Sequence, residues 1–471
     1  MPPHTLSRRS FAAALAGTLG VAVLGACGSD GPSPATGPAT ATAGSGLFDA
    51  SVVHDIDVTF ARAHYDAMID AYLKDETKNW IEATVTVDGT TFEKAGLRLK
   101  GNSSLRGLTK SGTAGADQGG GGPGGGGPGG SVSAENPQDL PWLVRLDKFV
   151  DGQALGGWTE FVVRSNNSGS ALNEAVALEL LGLAGLATQR SVSARLAVNG
   201  GAEVLRLVIE NPGDKWDADN FSAAGILYKA EAGGDYSYRG DDAAAYEDVF
   251  DQETDTGNPN LAPLTAFLKF VNESDDASFR ADLGRHLDVA AFANYLAVQE
   301  LVKNSDDIDG PGNNSYLRYT TGAGRFTVVA WDHNLAFSSM GGRGGNRGAV
   351  PGGDNGGAVP GGGVAPGGGV APGGGVAPGG GVAPGGGDIG GRPKTRMGGR
   401  ANILVERFNA DTTFKASYEK ALTDLRARLY TSGKAAEILR ARAAVLTAQT
   451  SDLISADTVA TESAAIEAHF V

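Results

Sequence analysis

A hexapeptide, Val364-Ala365-Pro366-Gly367-Gly368-Gly369, recurs through Gly387, and no packed core can be built from it. Collagen places glycine at every third position; here the glycines cluster and the period is six, so a triple helix is excluded as well. The tract holding the repeat runs from Gly341 to about Gly399. A second tract runs from Gly112 to Ser131 and contains Gly119-Gly120-Gly121-Gly122-Pro123. Neither has enough apolar surface to offset the entropy of ordering its backbone, so both are expected to be disordered loops inserted into one domain. They inflate glycine to 72 of 471 residues. Without them and the N-terminal leader, roughly 350 residues remain, enough for one large bilobal domain or two small ones.

The leader has its own pattern. Ser7-Arg8-Arg9-Ser10-Phe11 places two arginines before an apolar stretch that ends at Ala26. That stretch is short of the roughly 20 residues that span a bilayer, and it has the charged start and apolar middle of a signal peptide. The arginine pair is similar to a twin-arginine signal. Leu24-Gly25-Ala26-Cys27 is similar to a lipobox, in which cleavage would leave Cys27 as the lipidated first residue; Cys27 is also the only cysteine. Residues 1–27 are therefore expected to direct export and lipidation, and residues 28–46, rich in Ser, Pro, Ala, Thr and Gly, to form a flexible tether. The expected location is the outer face of the cell membrane, periplasmic or cell-surface, with the N-terminal lipid as the only membrane contact. One cysteine also excludes an intrachain disulfide or a Cys-based zinc site.

A net charge of −15 argues against nucleic acid as a partner, because such binders need a cationic surface to replace phosphate counterions. In the body, Ile81, Ala83, Val85 and Val87 alternate with Glu82, Thr84 and Thr86, the period of a half-buried strand, and Asp88-Gly89 marks a hairpin. Further strands are expected at Gly96–Lys100, Trp142–Leu146 and Glu160–Val163. Leu172, Val176, Leu180 and Leu183 fall on one helical face with Gly185 as a stop, and Val192–Val198 and Val204–Ile209 flank the turn pair Asn199-Gly200. Helices dominate later, at Leu264–Val271, Asp288–Lys303 and from Asn402 onward. The fold class expected is α+β.

The most informative stretch is Asp288 to Phe337. A helix that Asp288 can cap leads into Asn304-Ser305-Asp306-Asp307-Ile308-Asp309-Gly310-Pro311-Gly312-Asn313-Asn314. Two short strands follow, Tyr316–Thr320 and Arg325–Ala330, and then Trp331-Asp332-His333-Asn334. Helix, loop with Asp and Asn, hairpin, second Asp is the order in which protein kinases present their catalytic groups. One carboxylate orients the acceptor hydroxyl and takes its proton, while an amide oxygen and a second carboxylate hold the magnesium that bridges the phosphates. Spacing alone does not separate this pattern from a solvated acidic loop. A calcium loop starting at Ser305 is disfavoured by Ser at its first position and Tyr316 at its twelfth. His333 reads as a packed neighbour of Asp332, since the six histidines form no HExxH or HxH pair.

Gly96-Leu97-Arg98-Leu99-Lys100-Gly101-Asn102-Ser103-Ser104-Leu105 resembles a signature of the CotH kinase family. Leu146-Asp147-Lys148-Phe149, Asn173-Glu174, Val198-Asn199-Gly200 and Leu227-Tyr228-Lys229 fit that family's order. So do the Asn304-x-Asp306 loop, Trp331-Asp332-His333-Asn334 and Asn402-Ile403-Leu404-Val405-Glu406-Arg407. The resemblance implies an atypical, bilobal protein-kinase-like fold. An N-terminal antiparallel sheet plus helix would fall in residues 47–340, and a mainly helical C-terminal part in 400–471. It implies transfer of phosphate from ATP, with Mg2+ or Mn2+, to serines of a Ser-rich secreted or envelope protein. By position, Asp306 would be the catalytic base, Asn314 (or Asn313) and Asp332 the metal ligands, and Glu174 the partner of a phosphate-holding cation. Arg98, Lys100, Arg145 and Lys229 are the cations available to contact phosphate.

The chain departs from the family where lysines usually precede Leu146-Asp147; here only Arg145 supplies a cation, and Ser315 and Arg318 stand where Tyr is more usual. A guanidinium is a poor stand-in for a compact ammonium. Arg98 and Lys100 can also be read as exposed strand charges, and Glu174 as a solvated helix residue. Two functions stay open: a serine protein kinase, or a non-catalytic surface adhesin or matrix-binding protein on a kinase-like scaffold, because fold does not set function.

Overall fold

The computed structural model describes residues 46–110, 132–231, 234–304, 306–309, 314–338 and 402–471. Arg8, Arg9, Cys27, Asn313 and both glycine tracts lie outside the described residues. The architecture is mixed α+β. β1 (His54–Phe60), β2 (Ile81–Val87), β3 (Thr90–Leu99), β4 (Trp142–Arg145), β5 (Glu160–Val163), β6 (Ser191–Val198) and β7 (Val204–Glu210) close into a barrel in the order β1-β2-β3-β4-β5-β7-β6. Neighbours pair antiparallel except β1 and β6, which run parallel with Ile56 opposite Leu196 and so complete the ring. The antiparallel sheet expected from the sequence is thus present, but as a closed barrel with one parallel seam. Its two expected hairpin turns form where left-handed backbone is needed: Asp88-Gly89 at φ 48° and 79°, Asn199-Gly200 at 49° and 69°.

Alternation decides where the barrel residues go. Trp142, Val144, Phe161, Val163 and Val208 point into the barrel core with Val85, Leu97 and Leu196. The residues between them, Leu143, Val162, Leu207 and Ile209, belong to a second apolar cluster outside the barrel. β4, β5 and β7 are therefore apolar on both faces, which is why they read as near-continuous hydrophobic runs. α1 (Arg62–Asp75) sends Tyr65, Met68, Ile69 and Tyr72 to the barrel core.

The second cluster is built on α2 (Leu172–Leu183), a four-stranded sheet and the later helices. That sheet has the order β11-β10-β8-β9, from β8 (Gly225–Ala230), β9 (Phe250–Gln252), β10 (Ser315–Thr320) and β11 (Arg325–Ala330). α3 (Asp214–Asn220) precedes it; α4 (Ala262–Glu273), α5 (Asp276–His286) and α6 (Val289–Leu301) lie between β9 and β10 in the chain. Asp288 caps α6 as expected, its carboxylate accepting from the Ala291 N–H at 3.0 Å. α6 is buried nearly all round, including Tyr295, Val298 and Gln299, so the loop it feeds begins inside the protein. α7 (Ile403–Ala410), α8 (Thr412–Arg426), α9 (Lys434–Gln449) and α10 (Ala456–Glu467) complete the chain, matching the helical C-terminal part expected. Among the described residues, no helix is long and apolar enough to cross a membrane.

Candidate active site

Three chain segments, one of them distant in sequence, meet at Arg164. It follows β5, and its N–H extends the barrel ladder to the Leu207 carbonyl at 2.8 Å. Its guanidinium donates through Nε to Glu174 Oε2 at 3.0 Å and through Nη2 to Asp332 Oδ1. Glu174 stands in the first turn of α2, and Asp332 directly after β11. The side chains of Arg164 and Glu174 are only 11% and 4% exposed, so water does little to screen the pair. Burial alone would lower the Arg164 pKa, but the two carboxylates carry it upward; burial raises Glu174, opposed by Arg164. Among the described residues the buried Glu174 Oε1 has no hydrogen-bond partner within bonding geometry. Asp332 adopts φ 60°, and Ala171, Lys303 and Phe337 near the same segments adopt 53°, 52° and 56°. Such left-handed backbone at non-glycine residues costs on the order of 1 kcal/mol or more each and persists where the surroundings hold it, commonly at functional sites.

The loop after α6 supplies the second half. Asn314 Nδ2 donates to the Asp306 carbonyl at 2.6 Å, and Asp306 N–H to Asn304 Oδ1 at 3.3 Å. Asn304 is fully buried and donates to Gln299 Oε1 at 3.1 Å, while Gln299 Nε2 lies 3.1 Å from His333 Nε2. The loop carrying Asp306 and the segment carrying Asp332 are thus tied to one buried amide on α6. His333 is buried with its pKa lowered to about 4 by desolvation, so it is neutral at pH 7 and sits as the packed neighbour expected. Burial raises the Asp306 carboxyl, the charge of Asp332 raises it further, and a hydrogen bond with the Asn314 side chain opposes both.

The expected cations gather on the outer face of β3 and β4. A cavity of about 320 Å3 is lined by Trp80, Arg98, Lys100, Arg145, Trp158, Glu160 and Glu253. Arg98 lies over the Trp80 ring at 4.9 Å, Lys148 over the same ring at 5.3 Å, and Lys100 Nζ over Trp331 at 5.8 Å. Trp331 adjoins Asp332, so Lys100 stands between this cleft and the Arg164 cluster. Desolvation lowers the Lys100 ammonium to about 8, with Glu253 opposing and Lys229 and Arg98 assisting. Among the described residues, the buried Arg98 Nε and Tyr316 hydroxyl have no hydrogen-bond partner, and the Tyr316 ring meets Trp331 edge-on at 5.6 Å. A cleft lined by a desolvated ammonium and a guanidinium with an unpaired nitrogen suits a polar anionic ligand.

Arg98, Lys100 and Arg145 therefore share one cleft, and Glu174 and Asp332 share one ion cluster. Lys229 pairs with Glu231, and Arg145 with Asp147 at 2.9 Å. The cation on Glu174 is Arg164, a residue that the motif order does not single out because it is one arginine after a short strand. Arg318, a departure from the family pattern, is buried and bridges Asp217 at 3.0 and 3.1 Å, a structural pair. Asp306, Asp332 and the Asn314 amide are hard oxygen donors of the kind magnesium and manganese take, and the two like-charged carboxylates are of the kind such a cation stabilises. Among the described residues no three His, Cys, Asp or Glu side chains form a ready-made metal group, so that donor set depends on the amide.

A cleft holding unpaired cations, and an Asp–Asn loop and a second Asp carried on a helix–loop–hairpin frame, are features that phosphoryl-transfer proteins use. A family model described as CotH kinase protein matches residues 128–469, and the chain belongs to that family. The matched residues include Arg145, Arg164, Glu174, Lys229, Asp306, Asn314 and Asp332; Arg98 on β3 and Lys100 just after it precede them. No curated protein is significantly similar to the chain.

Proposed function

We propose that this protein transfers a phosphoryl group from ATP to Ser (or Thr) hydroxyls of secreted or cell-envelope proteins. The observation that carries the reading is that the Asp306 loop and the Asp332 segment are tied to one buried amide, Gln299 on α6, through Asn304 at 3.1 Å and His333 at 3.1 Å. In this reading the barrel and α2 form the nucleotide side of a bilobal, kinase-like layout, and Lys100 and Arg98 hold the phosphates in the cleft. Asp306 orients the acceptor hydroxyl and takes its proton as the oxygen bonds to the γ-phosphorus and the γ-phosphorus–oxygen bond to the leaving ADP breaks. Asp332 and Asn314 would hold a magnesium or manganese ion, which when bound neutralises phosphate charge. Arg164, fixed by Glu174, orients Asp332.

The test is labelled-phosphate transfer to a Ser-rich peptide beside calorimetric ATP titration. Asp306→Asn keeps size and polarity but cannot accept the proton, so ATP should still bind while transfer falls by about 10²–10⁴-fold. Asp332→Ala should lose both binding and transfer. A parent protein that binds no nucleotide with any divalent ion rejects the kinase reading. One observation favours the alternative, a non-catalytic adhesin: Lys229 and Arg145, two of the expected phosphate contacts, are already paired with Glu231 and Asp147.

The N-terminal pattern extends the proposal to location: an exported protein held to the outer face of the membrane by a lipid on Cys27. Cys27→Ser should release it from the membrane fraction or block processing. Replacing Arg8 and Arg9 with Lys should block export, and normal export of that variant would reject the twin-arginine route.

A further inference from the structure

The C-terminal helix touches the candidate site from two sides. Glu462, on α10, accepts hydrogen bonds from the Gly169 N–H at 2.8 Å, the Ser170 N–H at 3.0 Å and the Ser170 hydroxyl. These residues immediately precede Ala171, at φ 53°, and the start of α2, where Glu174 binds Arg164. The approach is tight: a Cβ on Gly169 would lie 3.1 Å from Thr458 Cγ2 and 3.3 Å from Glu462 Oε1. Beyond α10, the rings of His469 and Phe470 sit 5.9 and 5.8 Å from Phe337, which follows the Asp332 segment and is itself at φ 56°. Phe470 also meets Tyr430 at 5.0 Å, and the Tyr430 hydroxyl donates to the Leu301 carbonyl at the end of α6, just before the Asp306 loop. Between these points, Asn173 Nδ2 donates to the Asn334 carbonyl at 2.6 Å, joining the start of α2 to the Asp332 segment.

We infer that α10 is a clamp that positions the site, with Glu462 as its main positioning residue: it fixes the start of α2 and, through Asn173 and Glu174, the segment bearing Asp332. The inference rests on the phosphoryl-transfer reading for its effect on ligand binding, but the mechanical coupling stands apart from it. A carboxylate that accepts from two successive backbone N–H groups and a hydroxyl holds that turn in one conformation, and strained left-handed residues need such over-determination to persist. Outer-shell residues of this kind set the orientation of metal ligands without touching the metal.

The experiment compares Glu462→Gln with Asp452→Asn in the full chain. Asp452 anchors the same C-terminal segment through Arg195 on the barrel, at 2.6 and 2.7 Å, with no bond to the α2 start. Two readouts are taken: hydrogen exchange of amides 169–174 and 332–337, and titration with Mn2+ plus ATP. Glu462→Gln should speed exchange in both segments and weaken Mn2+–ATP affinity by about 10-fold or more, the usual worth of an outer-shell partner. Asp452→Asn should leave both readouts as in the parent whatever it does to thermal stability. Exchange at 332–337 unchanged by Glu462→Gln overturns the clamp, as does affinity loss that merely tracks melting temperature across the two variants. If the parent binds no Mn2+–ATP, the phosphoryl-transfer reading falls, and the exchange data alone decide the coupling.

Discussion

Arg98 and Lys100 in the cleft are linked to the Arg164 cluster through Trp331, which Lys100 faces and Asp332 follows, yet the two groups handle charge in opposite ways. Arg164 is neutralised by two carboxylates on separate segments. Arg98 and Lys100 form no ion pair among the described residues; they rest against tryptophan rings with acids at longer range. A guanidinium enclosed by Glu174 and Asp332 cements three chain segments and has little capacity left for a ligand. An ammonium desolvated beside a ring stays available to whatever anion enters. The first arrangement builds the site, and the second equips it to bind.

The comparison is sharpest at Arg164 itself. Arg164→Ala leaves two carboxylates with low exposure facing each other, and removing one partner of a buried pair costs about 3–5 kcal/mol. Urea unfolding at pH 7 should show that loss, with transfer abolished. A cost below about 1 kcal/mol, the range of exposed pairs, would mean the cluster is a solvated surface pair and the contrast with the cleft collapses.

Lys100→Met should do the reverse. Nucleotide affinity should fall by the worth of a charge-assisted hydrogen bond, about 1.5–3 kcal/mol, with folding stability held or improved. The pH dependence follows from the same group. Its folded pKa, about 8, lies below the unfolded value of 10.5, so the folded state resists protonation and gains stability as pH rises through that interval. Binding moves the other way: ATP affinity of the parent should decline as pH rises through about 8, and Lys100→Arg should flatten the profile. An affinity independent of pH from 7 to 9 in the parent would remove Lys100 from the phosphate contacts.

Smaller effects test the aromatic support. Trp80→Leu takes the ring from beneath both Arg98 and Lys148, and loss of a partly exposed cation–π contact is worth about 0.5–1 kcal/mol, to be read as a drop in nucleotide affinity. At the bottom of the scale, deleting Val364–Gly387 shortens a connection whose closure entropy changes by about 0.6 kcal/mol per doubling of length, so the melting temperature should barely move. A loss of several kcal/mol would show that the repeat packs on the domain.

Much of the secondary structure was legible because it depends on residues a few positions apart. Alternation at Ile81–Val87, the turn pairs Asp88-Gly89 and Asn199-Gly200, and the Asp288 cap all carry their cause locally, and each is found where expected. β1 went unread because Ile56 and Val58 are its only aliphatic residues facing the core, and α1 because its stripe of Tyr65, Met68, Ile69 and Tyr72 mixes aromatic with aliphatic groups. At the site, the motif order marked Asp306, Asn314, Asp332 and Glu174 but not the arginine that joins two of them.

Local pattern and composition were enough to determine the α+β character, the exclusion of an intrachain disulfide, and the order of the acidic motifs. Ring closure by β1 and β6, and the identity of the cation on Glu174, were decided only by tertiary structure. Arg164 and Asp332 are 168 positions apart, and nothing in the neighbourhood of either selects the other. Their pairing exists because β5, α2 and β11 are brought together by two apolar clusters, and only once water is excluded does one guanidinium become the required partner of two carboxylates.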